Sequence, residues 1–184
     1  MRQTLRLHPD SICGAVASIE VEVARPRPRA LLLRYVVTGG ISDLLMPPVT
    51  APTRGDELWR HTCFEAFLQP SPGDEYYEFN FSPSTQWAAY RFSGYRNEMR
   101  VAHEIAAPRI VARSNSESSE LQVSLALDQV LNLPNDAGWR LGLAAVIEET
   151  SGEKSHWALA HAPGQPDFHH ADGFALELPA TDRT

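Results

Sequence analysis

Apolar side chains recur at every second position through most of this chain, in short runs broken by proline, glycine and polar clusters. A period of two belongs to a strand with one face in a core and the other in water, so this pattern constrains the fold most. Val16–Ala24 reads VASIEVEVA, with Ile19, Val21 and Val23 expected inside and Glu20 and Glu22 outside. Arg25–Pro28 is a proline-rich turn, and Ala30–Val37 is a more buried strand ending at Gly39 and Gly40. Residues 46–55 hold three prolines and a glycine. Proline lacks the N–H that a sheet ladder needs, so this segment is a loop. Further strands are expected at Leu58–Gln69, Glu75–Ser82, Gln86–Ser93, Arg100–Glu104, Arg109–Arg113, Glu120–Leu127, His156–Leu159 and Phe174–Leu178. Trp139–Glu148 is apolar on both faces and reads as a central strand. Helical signal is confined to one short turn near 128–133, where Asp128 can cap and Pro134 stops the turn. Many short strands without interleaved helices predict an all-β, two-sheet antiparallel β-sandwich.

The 184 residues fit one domain spanning 1–184, long enough to bury a sizeable core. A net charge of −7 argues against a surface that tracks nucleic-acid phosphates, which needs clustered lysine and arginine. Two cysteines, Cys13 and Cys63, make no disulfide framework, so both are expected reduced. His8, Pro9 and Asp10 interrupt the apolar run that a secretory signal requires, and no apolar run approaches a membrane span. The expectation is a cytoplasmic protein with no membrane partner.

The stretch from Trp59 to Arg96 concentrates two of the four tryptophans and four of the five tyrosines. Alternation over Tyr76–Ser82 puts Tyr77, Phe79 and Phe81 on one face, a plain core stripe. Tyr76, Glu78, Asn80 and Ser82 fall on the other. Aromatic rings can cover the apolar faces of a sugar while carboxylate, amide and guanidinium groups satisfy its hydroxyls. The candidate ligand-binding set is therefore Trp59, Tyr76, Glu78, Asn80, Trp87, Tyr90, Tyr95 and Arg96. Register is open at this stage. A simple loop over residues 70–74 sets Ala66 opposite Glu78 and Phe64 opposite Asn80, whereas one bulge brings Glu65 onto the polar face.

The runs WRHTCFEAFL (Trp59 to Leu68), YYEFNFSP (Tyr76 to Pro83), WAAY (Trp87 to Tyr90) and Tyr95-Arg96 resemble the DOMON-like superfamily, which includes family-nine carbohydrate-binding modules and cytochrome-type haem domains. Within it the chain is similar to a bacterial stand-alone subgroup. The resemblance implies a jelly-roll-like sandwich with a ligand site on one sheet, holding sugar in some members and haem in others.

A second cluster, His156 to Asp172, holds four histidines and two aspartates. His161, Asp167, His169, His170 and Asp172 are ligand types that suit zinc or iron, but their spacing matches no standard zinc motif. The preferred reading is a loop over the sheet that brings His161 and His169 to the ligand site. For haem, the axial candidates are His161, His169 and Met99. Glu65 and Glu78 could serve as a glycoside hydrolase pair, and His61 with Cys63 as an imidazole–thiolate pair. The leading expectation is a non-catalytic domain that binds a carbohydrate or similar polar small molecule, without a resident cofactor. The competing class is a protein-interaction module or homodimer that uses an exposed aromatic face.

Overall fold

The alternating segments become twelve strands in a computed structural model, which describes residues 1–130 and 133–181. These are β1 (Arg2–Leu7), β2 (Val16–Ala24), β3 (Ala30–Gly39), β4 (Cys63–Ser71), β5 (Tyr76–Phe81) and β6 (Trp87–Phe92). They continue with β7 (Arg100–Val101), β8 (Arg109–Ser114), β9 (Ser118–Ala126), β10 (Gly138–Glu148), β11 (Lys154–Ala158) and β12 (Leu176–Leu178). All ladders between them are antiparallel.

One sheet runs β1-β2-β3-β9-β8 and the other β7-β6-β5-β4-β10-β11. The first strand belongs to both: Arg2–Leu5 pair with β2, while Arg6 and Leu7 pair with β11. A strand that changes sheets makes a corner of the sandwich and removes one open edge. The eleven-residue β10 is the spine of the second sheet. Along one side it pairs with β4, and along the other with β11 and then β12. Flanked on both sides, it is buried on both faces, as its sequence predicts.

The main core lies between the sheets. Ile19, Val21 and Val23 enter it from β2, and Tyr77, Phe79 and Phe81 from β5, whose rings form a stacked row. Tyr35 on β3 crosses the interface to donate its buried hydroxyl to Glu65 O at 2.8 Å. Outside, Arg34 joins Glu22 at 3.2 Å and Glu120 at 2.5 Å across three strands. Such exposed pairs contribute only tenths of a kcal/mol each.

Three expectations are corrected. β4 begins at Cys63 rather than Leu58, because Glu57 takes a left-handed conformation (φ 52°) that turns Leu58–Arg60 into a 3-10 turn. The strand expected over Arg100–Glu104 ends at Val101, where Ile105 N–H closes a turn onto Ala102 O. The opening strand β1 goes unpredicted, since only Leu5 in it is deeply buried. Near 128–133, Val130 N–H donates to Leu127 O at 3.1 Å in a hydrogen-bonded turn, while residues 131 and 132 lie outside the described residues.

Candidate functional site

The outer face of the second sheet is covered as well. Phe67, Tyr76, Ala88, Tyr90, Phe92, Ala144, Ala158 and Phe174 form a second, smaller core there, joined by Trp59 and Phe168. Three loops supply its roof: residues 56–61, residues 93–99 and residues 159–175. Gly142 lets the last of these lie close, since a Cβ there would meet Gly173 O at 3.2 Å and Phe67 Cβ at 3.3 Å. Tyr95 Oη and Arg96 Nη2 both donate to Asp167, at 2.5 and 2.7 Å, and so tie two of the loops together. Arg96 itself has φ 50°, and its N–H donates to Tyr76 Oη.

Under this roof lies a cavity of about 380 Å³, lined by Trp59, Glu65, Glu78, Phe92, Arg96, Met99, Val146, His156, Pro166, Phe168 and His169. Its floor follows from register. Glu65 pairs with Asn80 and Phe67 with Glu78 in one unbroken register, so Glu65 comes onto the polar face by a one-residue shift from the simple-loop expectation and without a bulge. Glu65 and Glu78 are then diagonal neighbours on one face, within reach of each other. Asn80 is fully buried and its Nδ2 donates to Glu78 Oε1 at 2.7 Å. Glu65 is 3% exposed, and its Oε1 has no hydrogen-bond partner among the described residues.

Two adjacent acids in a poorly hydrated site resist ionising together. Burial pushes the Glu65 carboxyl well above its usual range, and the charge of Glu78 adds to this. Burial also raises Glu78, to about 6, against the opposing pull of Asn80 and Arg96. The first charge therefore settles on Glu78 while Glu65 keeps its proton.

His169 is wedged among Phe67, Tyr76 and Phe92, with ring centroids 5.0 to 5.9 Å away. Tyr76 Oη accepts from Arg96 N–H and shares a 2.8 Å hydrogen bond with His169 Nδ1. His169 Nε2 lies 3.6 Å from Glu78 Oε2. Burial lowers His169 to about 4, with Arg96 adding to the effect. At neutral pH the contact is a neutral imidazole beside a carboxylate, not an ion pair.

The cavity thus gathers Trp59, Glu78, Arg96 and His169 from the expected set, with Tyr76 and Asn80 fixing them from behind. Tyr90 supports Trp59 at a centroid distance of 5.9 Å and donates its hydroxyl to Asp56, and burial raises its phenol. Tyr95 is 59% exposed and borders a second groove beyond the Asp167 tie, shared with Tyr76, Arg140 and His170. Trp87 does not line the cavity. It belongs to the main core, with Arg54 stacked 4.0 Å over its ring. Trp87 and Tyr90 are three apart on one strand, so they must face opposite ways. His161 is also elsewhere. Its Nε2 donates to Arg6 O at 2.8 Å and its ring meets His8 edge-on.

Sequence reasoning missed Phe92, Val146, His156 and Phe168. Parity finds Phe92, on the face of Tyr90, and His156, on the face of Ala158. Val146 shares the face of Ala144, two residues away, and pairs with His156, whereas Phe168 lies in a loop and carries no such signal. The expected open aromatic face is absent, since Tyr76, Trp87 and Tyr90 are all buried. Cys63 is fully buried, and burial pushes its thiol well up, so no thiolate forms beside His61, whose Nδ1 instead meets Glu148 Oε2 at 2.7 Å. Among the described residues, no three histidine, cysteine or acidic side chains converge to hold a metal. A larger depression on the outer face of β2, β3 and β9 is lined by the Glu22–Arg34 pair, and its charges already have partners.

No protein-family model and no curated protein matches the sequence. By fold, the chain is similar to a candidate carbohydrate-binding protein of Bacteroides uniformis ATCC 8492. That match has 15% identity, a TM-score of 0.67, and covers 94% of this chain and 83% of that one. It is also similar to a family 9 carbohydrate-binding module of Caldicellulosiruptor kristjanssonii in complex with glucose, at 10% identity and TM-score 0.53, covering 98% of this chain and 86% of that one. A family 9 module of the same organism in complex with cellotriose matches at 10% identity and TM-score 0.52, covering 89% and 74% of the two chains. At such identities the likeness is one of architecture: this chain is a β-sandwich of the kind those modules adopt.

Proposed function

We propose that this chain is a binding domain that takes a carbohydrate, or a similarly hydroxylated small molecule, into the cavity above β4, β5 and β10. One observation carries the reading. Glu65 lines a cavity walled by Trp59, Phe92 and Phe168, and its buried carboxyl Oε1 has no partner among the described residues. An orphaned buried acceptor costs about 1–3 kcal/mol, which a ligand hydroxyl would recover while its apolar face covers the rings. The fold shared with carbohydrate-binding modules supports this reading, as does the resemblance to DOMON-like domains. The two free cysteines favour action in the cytoplasm.

The test is a thermal-shift screen of mono- and disaccharides on the wild type and on Trp59→Ala. A ligand that binds the native state raises the melting temperature by mass action. The expected result is a rise in the wild type that Trp59→Ala removes. A rise equal in both would place the ligand elsewhere, and no rise with any sugar would sink the reading.

A second reading is hydrolysis, favoured by the split between a protonated Glu65 and an ionised Glu78 lining one cavity. It predicts turnover of a chromogenic glycoside that Glu78→Gln abolishes.

A further inference from the structure

The residual charge of the cavity narrows the ligand. Arg96 is the one permanent cation among the described lining residues, and Asp167 neutralises it at 2.7 Å. Asp167 stays ionised: burial works against this, but the hydrogen bonds from Tyr95 and Arg96 outweigh it. Burial keeps the two lining histidines, His156 and His169, neutral. The uncompensated charge is therefore negative: the acid pair holds one charge, on Glu78, while Glu65 keeps its proton.

A neutral sugar could satisfy Glu65 Oε1 with one hydroxyl. It could not offset the charge of the pair, which ionises only against burial and mutual repulsion. An ammonium group does both. It brings three donors to a floor that offers acceptors, and its charge allows both acids to ionise. Trp59, Phe92 and Phe168 line the same space, and aromatic faces also attract a cation.

We propose that the Glu65–Glu78 floor selects a ligand bearing a protonated primary amine, and that an amino sugar is the class that fits both floor and walls. The sugar half rests on the carbohydrate reading above; the amine half rests on the two acids.

Calorimetric titration of the full chain at neutral pH tests both. The probes are glucosamine, galactosamine and mannosamine, each beside its parent hexose and its N-acetyl form, with cyclohexylmethylamine as an amine lacking hydroxyls. One amino sugar is expected to bind at least about tenfold tighter than its parent and N-acetyl forms, the scale of one charge-assisted hydrogen bond. Replacing both acids, Glu65→Gln with Glu78→Gln, keeps the shape and removes both ionisable groups, and should shrink that preference to about twofold or less. A parent hexose that binds as tightly as its amine overturns the amine proposal and leaves the carbohydrate reading standing. Cyclohexylmethylamine binding as tightly as any amino sugar keeps the amine floor and overturns the carbohydrate reading. Binding by none of these overturns both. The wild-type comparison decides the matter even if the variant does not fold.

Discussion

Replacing Glu78 by Gln should stabilise the protein, and by an amount that depends on pH. Burial raises Glu78 from its ordinary 4.5 to about 6. A carboxyl with a raised native pKa binds more protons folded than unfolded. Stability is therefore lost as pH rises from the unfolded value through the native one, and the loss is complete above it. About 1.5 units at about 1.4 kcal/mol each gives about 2 kcal/mol. Glutamine has the same shape, still accepts from Asn80 Nδ2, and carries no charge to bury. Wild type and Glu78→Gln should thus be equally stable near pH 4.5, diverge through pH 6, and differ by about 2 kcal/mol above about pH 7. In a chain of this size that is a rise of roughly 4–8 °C in melting temperature.

The difference between the two proteins must be measured, not the wild-type curve alone, because His169 acts with the opposite sign. Its native value of about 4 lies below its ordinary 6.5, so stability falls as pH drops through that range. Urea denaturation followed by tryptophan fluorescence, at several pH values, gives the comparison. A stability difference that is the same at pH 4.5 and 7.5 would refute the origin assigned to the shift, and a destabilised Glu78→Gln above pH 7 would refute its sign.

Three further outcomes are expected. A thiol reagent should modify Cys13 in the native protein, with Cys63 reacting only as the fold opens; prompt titration of both would contradict the burial of Cys63. Phe79→Ala, in the middle of the stacked row and fully buried, should cost about 3–5 kcal/mol in urea unfolding. Arg25→Ala should cost about 2 kcal/mol, since its guanidinium lies 3.5 Å over the Trp139 ring and donates to Pro28 O, Ala137 O and Pro179 O.

Period-two patterning located the strands because one side of nearly every strand is apolar. It also separated Phe79 from Glu78 before any pairing was known. It placed the two faces but not what covers them. Trp87 looks like a binding aromatic in the sequence because composition does not report parity, yet its position three residues from Tyr90 assigns it to the opposite side. Glu65 is ambiguous for another reason: a one-residue slip of the hairpin decides whether it meets Glu78, and nothing local in residues 70–74 fixes that slip. His161 and His169 are indistinguishable as loop histidines. Only the long-range contacts to Arg6 and Tyr76 send one to a backbone carbonyl and the other into the cavity.

The strand β5 carries Glu78 and Asn80 on one side and Tyr77, Phe79 and Phe81 on the other. The floor of the cavity and one wall of the core are thus the same six residues of backbone. Ligand affinity becomes a gauge of packing two layers away. A core substitution that tilts β5 by a fraction of an ångström, at little cost to folding, will register first as a change in what the cavity holds. Selection acting on the ligand therefore also polices side chains that never touch it.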